Sequence, residues 1–225
     1  MTLTEYPDRD LMMVAVAKAI ASQLRGELKS AGAASLAVPG GTTPGPIFDT
    51  LCAADIAWAD VAVMLSDERW VPEDSPRSNT ALLRQRLLVE PAAAARYLPL
   101  YQAGHADPEP ALPALAHGLA AALPLTVLLL GMGADMHTAS LFPGAAELPD
   151  ALAADAPPLL AVRPADQPEA RVTLTAPVLR GAMHTHIVIT GDEKRAALDR
   201  ARAESDPLKA PVRVVLDAAA IHWSP

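Results

Sequence analysis

The chain has a single cysteine, Cys52, among its 225 residues, so no disulfide forms within it, and a lone thiol suits a reducing cytoplasm. Cys52 lies in an apolar helical stretch with no neighbouring base and is read as a small core hydrophobe rather than a nucleophile. Long apolar runs are missing as well. Hydrophobic residues make up 51% of the chain, yet no run approaches the ~18 residues that cross a bilayer. The first residues lack a basic region followed by an apolar one, so neither a signal peptide nor a membrane partner is expected, and the location expected is the cytoplasm. Positive charge is scarce: 18 Lys and Arg stand against 26 Asp and Glu, a net charge of -8. That deficit argues against nucleic acid as a partner, which needs a basic surface. It leaves room for a small anionic ligand wherever a few cations converge. Internal repeats and linker-like segments are absent, which predicts one domain over residues 1–225; nothing specifies an oligomeric state. The 22 prolines punctuate well-formed apolar segments and are read as loop stiffeners.

What is present alternates between helical and strand periods. Residues from about Arg9 to Leu28 are helical in spacing, with Leu11, Val14, Ala15, Ala17, Lys18, Ala21 and Leu24 dividing an apolar face from a mixed one, and Gly32 as the stop. Short apolar runs read as buried strands at 35–38, 61–65, 126–130, 159–162 and 185–190, with a last strand at 212–216. Residues 171–175 alternate polar and apolar, as a strand with one covered face does. Ser78-Asn79 caps a helix from Thr80 to about Val89, and Gly191 opens another from Asp192 to about Arg202. The fold class predicted is α/β: a doubly wound, mainly parallel sheet flanked by helices. His184, His186 and His222 lie on or beside strands and are read as structural.

In open sheets of this kind, ligands bind beyond the carboxyl ends of strands, and the informative residues sit there. After 126–130 come Gly131-Met132-Gly133-Ala134-Asp135-Met136-His137-Thr138-Ala139-Ser140, an acid and an imidazole two positions apart, with Thr138 and Ser140 as caps for a short helix. After 35–38 comes Pro39-Gly40-Gly41-Thr42-Thr43-Pro44; Thr43 is placed to cap a helix starting at Pro44, and the open backbone of the glycine turn forms an anion site suited to phosphate. After 61–65 comes Ser66-Asp67-Glu68-Arg69. Lys194 falls in the first turn of its helix, where a cation opposes the dipole unless an anion is bound.

These ordered motifs, together with Val71-Pro72, Ser78-Asn79, Arg171-Val172-Thr173-Leu174-Thr175 and Gly191 with Lys194, resemble the 6-phosphogluconolactonases of the glucosamine-6-phosphate isomerase/6-phosphogluconolactonase family over nearly the whole chain. The resemblance implies the fold of glucosamine-6-phosphate deaminase and ribose-5-phosphate isomerase, and a cofactor-free step of the oxidative pentose phosphate pathway. In that step 6-phospho-D-glucono-1,5-lactone, a phosphorylated sugar lactone, is hydrolysed to 6-phospho-D-gluconate.

Lactone hydrolysis asks for a base, an oxyanion site and a proton for the leaving ring oxygen, and an imidazole serves the first and third in turn. His137 is expected in that role, with Asp67 and Asp135 as candidates to orient it. The 6-phosphate is expected at Gly40, Gly41, Thr42 and Thr43, near Asn79, with Arg69, Arg77, Arg171 and Lys194 as candidate cations. No serine or cysteine occupies a nucleophile elbow, and no ligand cluster calls for a metal.

Two rivals are a sugar-phosphate isomerase or deaminase on the same fold and a non-catalytic sugar-phosphate-binding module. The deaminases carry a glutamate five residues after the histidine, where this chain has Phe142; no helix-turn-helix extension supports a regulator. The family usually reads Asp-Gly-His where this chain reads Asp135-Met136-His137. Either position 136 takes a positive φ at a cost, or φ is negative and the thioether packs into the wall; the second is the expectation.

Overall fold

The computed structural model describes residues 1–165 and 167–225. In chain order it runs β1 (Thr2–Glu5), α1 (Arg9–Ala31), β2 (Ala34–Val38), α2 (Gly45–Leu51), β3 (Val61–Leu65) and β4 (Asp67–Arg69). Then follow α3 (Asn79–Arg86), β5 (Arg96–Leu98), α4 (Leu112–Leu119), β6 (Val127–Gly131), α5 (Leu148–Leu152) and β7 (Leu159–Val162). The chain closes with β8 (Arg171–Leu174), α6 (Ala176–Arg180), β9 (His184–Thr190), α7 (Asp192–Ala203), α8 (Arg213–Leu216) and β10 (Ala220–Ser224). Among the described residues no helix is long and apolar enough to cross a membrane.

Seven strands form one parallel sheet in the order β1-β10-β9-β6-β2-β3-β5. The chain builds outward from β2 to β3 and β5, then returns to lay β6 on the other flank of β2. The sheet therefore has a switch point between β2 and β6, and a crevice opens beyond their carboxyl ends. A second, antiparallel sheet, β4-β8-β7, stands beside it and pairs Asp67 with Thr173 and Arg69 with Arg171. The sequence places Asp67–Arg69 only as charges at a strand end; the finding is that they form a strand, because β8 supplies a partner too distant in sequence to foresee.

Helix α1 starts where the Asp8 carboxylate accepts the Leu11 N–H at 2.8 Å and stops at Gly32, whose φ of 78° is the left-handed cap. Its buried face is Met12, Met13, Val16, Ala17, Ile20, Ala21 and Leu24, whereas Leu11 and Val14 are exposed. Alanine on every side of this helix leaves little contrast between faces, which is why the expected face is rotated. The expected strand at 212–216 is also corrected: Val212 directly precedes the short helix α8, and the closing strand is β10. Five residues, four of them apolar, carry no period by which to tell the two apart.

Glu68 is buried and anchors the start of α3. Its carboxylate accepts the backbone N–H groups of Arg69, Asn79 and Thr80 at 2.7–2.8 Å and the hydroxyls of Ser78 and Thr80 at 3.0 and 2.7 Å. Replacing Glu68 with Ala strands these donors, and unfolding in urea at pH 7 should show a loss of about 3–5 kcal/mol. A loss under about 1 kcal/mol would mean that Ser78 alone holds the helix start.

Under the sheet, buried polar groups form one chain. Tyr6 Oη meets His222 Nδ1 at 2.9 Å, His222 Nε2 meets His186 Nδ1 at 3.0 Å, and His186 Nε2 meets Gln23 Oε1 at 2.8 Å. With the Gln23 oxygen as acceptor, each neutral imidazole donates once and accepts once, so all four ring nitrogens are satisfied. A further proton on His186 would set two N–H groups head to head, and one on His222 would turn the Tyr6 hydroxyl from donor to acceptor. Burial pushes both imidazoles down from the ordinary value to about 4, and for His186 the neighbouring rings of His222 and His184 add to this. Between pH ~6.5 and ~4 the unfolded chain binds more protons, so stability falls as pH falls through that window and levels off below it. The expected loss is on the order of 3 kcal/mol per imidazole. Urea midpoints from pH 7 to pH 4 test this, and His186→Gln should flatten the dependence.

Candidate functional site

A cleft of about 310 Å³ lies at the switch point, beyond the carboxyl ends of β2 and β6. Leu129, Leu130 and Met132 form its floor, and Gly40, Gly41 and Thr43 one wall. Asp67, Arg69, Asn79, His137, Phe142, Arg171 and Lys194 complete it.

His137 sits on the turn that leaves β6. Its Nδ1 lies 2.6 Å from Asp135 Oδ1, which also accepts the His137 N–H at 3.2 Å. An ionised carboxylate only accepts, so Nδ1 carries a proton, and in the neutral ring the lone pair is left on Nε2. The hydrogen bond from His137 holds the Asp135 carboxyl below its ordinary range, against a smaller opposing effect of burial. The Phe142 ring packs on the imidazole with centroids 4.6 Å apart. Gly133 makes this pair possible, since a Cβ there would lie 2.2 Å from His137 Nδ1 and 2.4 Å from Asp135 Oδ1.

Two expectations about this turn are corrected. Met136 has φ 70°, so the position is left-handed and not of negative φ, although the side chain does pack, half-buried, against the core. The conformation is imposed by bonds on both sides, Met136 N–H to Gly133 O at 3.0 Å and Val212 N–H to Met136 O at 3.1 Å. Nor do Thr138 and Ser140 cap a helix. The Thr138 hydroxyl donates to Gly131 O at 2.9 Å and the Ser140 hydroxyl to Asp67 Oδ2 at 2.6 Å, and the segment continues as a loop. At the glycine turn, Pro44 and not Thr43 precedes α2, without a side-chain cap.

Asp67 is buried and engaged elsewhere than at the imidazole. It accepts from Ser66 Oγ at 3.0 Å and Ser140 Oγ, and stands 3.6 Å from Arg171 Nη1. Arg171 is only 8% exposed. Burial lowers the pKa of its guanidinium, Asp67 opposes that, and the cation of Arg69 adds to it. Arg69 and Arg171 face each other across β4 and β8, and the Nε of each is buried without a partner among the described residues. Like charges directly opposed on two strands are destabilising unless an anion lies between them. Lys194 joins them at the cleft from the first turn of α7.

The other expected residues divide. Asn79 Nδ2 donates to Asp67 O at 3.0 Å, and its side chain fills the space a Cβ on Gly40 would need, 2.1 Å away. Gly40, Gly41 and Thr43 line the cleft, while Thr42 is exposed outside its lining. Arg77 is not in the lining either: it pairs with Glu169, and its carbonyl accepts Arg69 Nη1 at 2.6 Å. Gln167 was not foreseen, and Ser140 only as a helix cap. Gln167 lines the cleft and accepts Arg171 Nη2 at 3.1 Å, and neither residue carries a sequence signal beyond nearness to a motif. Among the described residues no three His, Cys, Asp or Glu gather as a metal site.

Residues 7–223 match the family described as glucosamine-6-phosphate isomerases/6-phosphogluconolactonase. The 6-phosphogluconolactonase of Mesorhizobium japonicum is 42% identical over 225 residues, covering 98% of this chain and 94% of that one. The crystal structure of a 6-phosphogluconolactonase from Shewanella baltica superposes with a TM-score of 0.96 at 32% identity, covering 100% and 98%. A monomeric glucosamine-6-phosphate deaminase superposes at 0.80 with 15% identity, covering 100% and 96%, a likeness of fold alone. By sequence match and by fold, the chain belongs to the glucosamine-6-phosphate isomerase/6-phosphogluconolactonase family.

Proposed function

We propose that the protein, as a single cytoplasmic domain, hydrolyses 6-phosphogluconolactone to 6-phosphogluconate with His137 as general base and then general acid. The observation that carries this reading is the meeting, in one cleft, of an imidazole oriented by a carboxylate and two arginines opposed across a strand pair. The curated relatives named 6-phosphogluconolactonase support the same substrate.

His137 Nε2 takes a proton from water, and the hydroxide adds to the lactone carbonyl carbon. The Gly40–Gly41 turn, expected from the sequence at the 6-phosphate, is assigned instead to the oxyanion, because Arg69, Arg171 and Lys194 already supply cations for the phosphate in the same cleft. Collapse breaks the bond from the carbonyl carbon to the ring oxygen, and the imidazolium returns its proton to that oxygen. Asp135 fixes the tautomer and stabilises the imidazolium between the two transfers. Arg69, Arg171 and Lys194 hold the 6-phosphate, the arginines through their forks and the lysine as a point charge. Ring-opening isomerisation, the rival on this fold, needs a proton carrier beside the base. Phe142 packs there and has no proton to transfer.

His137→Asn should lower kcat by about 10²–10⁴ while KM changes little, because the phosphate is held by other side chains. Stopped-flow assay of freshly generated lactone, corrected for spontaneous hydrolysis, measures it. A variant with the wild-type kcat would remove the imidazole from the mechanism.

Lys194→Ala should raise KM for the phosphorylated lactone about tenfold, the scale of one charge-assisted contact, and leave kcat/KM for unphosphorylated gluconolactone unchanged. Inorganic sulfate should compete with the phosphorylated lactone. Equal efficiency of the wild type on both lactones would mean that no phosphate is recognised.

A further inference from the structure

Met136 and Ala139, with φ of 70° and 48°, are the non-glycine residues of positive φ among those described, and they bracket His137 and Thr138. Each such conformation is disfavoured roughly tenfold relative to the right-handed region. Strain of this kind persists only where the surroundings over-determine it, and it gathers where geometry serves a function.

The bonds inside the turn do not suffice as that determination. Gly133 N–H to His137 O and Met136 N–H to Gly133 O move with the turn as a unit. The Ala139 end is tied to the small sheet through Ser140, which bonds Thr173 and Asp67. The Met136 end is reached from outside by Val212 N–H to Met136 O at 3.1 Å, from the backbone before α8, and by Arg200 Nη2 to Ala134 O at 2.7 Å, from the last turn of α7. Ala134 directly precedes Asp135, so the guanidinium grips the turn next to the carboxylate that orients the base. The same helix presents Lys194 to the cleft six residues earlier, roughly 9 Å along its axis.

We propose that Arg200 is a positioning residue: its hydrogen bond to the Ala134 carbonyl holds the strained turn in the conformation that aims His137 into the cleft. This rests on the reading of His137 as the base. Arg200 is exposed, and a charge-assisted hydrogen bond to a carbonyl there contributes up to about tenfold to an equilibrium. That matches what relaxing one left-handed residue would return, so loss of the one bond tips the balance. With glycine at 136 the strain beside Ala134 is gone, Ala139 being tied separately through Ser140, and Arg200 becomes largely dispensable.

The test compares Arg200→Ala, Arg200→Lys, Met136→Gly and the double variant Met136→Gly/Arg200→Ala. Arg200→Ala should lower kcat about tenfold, with KM within about twofold and no collapse of the folded state by circular dichroism. Arg200→Lys, which keeps a donor, should recover most of the activity, and in the Met136→Gly background Arg200→Ala should cost about twofold or less. Amide exchange of Met136 and Val212 should quicken about tenfold in Arg200→Ala, whatever the substrate. Wild-type kcat in Arg200→Ala, or the same tenfold loss in both backgrounds, overturns the proposal. Should the wild type leave the lactone untouched, the functional reading fails, and the exchange rates alone decide whether Arg200 holds the turn.

Discussion

One buried carboxylate, that of Asp67, joins the separate stretches of chain that make the cleft. It accepts the Ser140 hydroxyl, 73 positions away, and stands against the Arg171 guanidinium on β8, while its own carbonyl takes the Asn79 amide. The Ser140 bond ties the loop after β6 to the small sheet, and the Arg171 contact holds a buried cation beside a counter-charge. Removing one partner from such a group strands a polar atom in low dielectric, a penalty larger than the net worth of the pair. The glycine turn follows from the same knot, for Asn79, once fixed on Asp67, occupies the room that only Gly40 leaves free.

Asp67 and its neighbours show how adjacent acids take different work from their surroundings. Asp67 and Glu68 are both buried, and both are consumed by fixed donors, the first on the cleft and the second at the start of α3. Asp135 is exposed and has the imidazole as its strong partner. A carboxylate that is to steady an imidazole through a change of charge must not already be committed to a network, and of the three only Asp135 meets that condition. Sequence alone leaves Asp67 and Asp135 equal because both follow strands; burial separates them.

The same limit explains what was legible. Alternating periods and the residues at strand ends gave the parallel sheet, the cleft at its switch point and His137 on the turn after β6. Local chemistry was readable where the partner is close in sequence: Gly32 stops α1, and Ser78 caps α3. It failed where the partner is remote. The pairing of β4 with β8 opposes Arg69 and Arg171, the Glu169 carboxylate draws Arg77 away from the cleft, and Ser140 bonds Asp67 instead of capping a helix. None of these has a spacing to read. The run at 212–216 failed for another reason, since a short apolar segment has the same composition in a helix as in a strand.

Met136 was misread because backbone and side chain were treated as alternatives. A methionine cannot be comfortable at φ 70°, which costs roughly 1–2 kcal/mol, and the reading therefore took packing to require the ordinary backbone. The structure has both: a left-handed residue whose thioether lies against the core. The two effects are of similar size and opposite sign, because packing a half-buried methionine contributes about 1–3 kcal/mol. Glycine at this position would avoid the strain but lose the contact and widen the unfolded ensemble. Methionine is thus tolerated only while the rest of the turn stays fixed, so its presence makes the turn depend on the segments that grip it from outside. Where glycine would let the turn hold its own shape, this chain needs α7 and the backbone before α8 to hold it, and the base it carries is placed by residues that never reach the cleft.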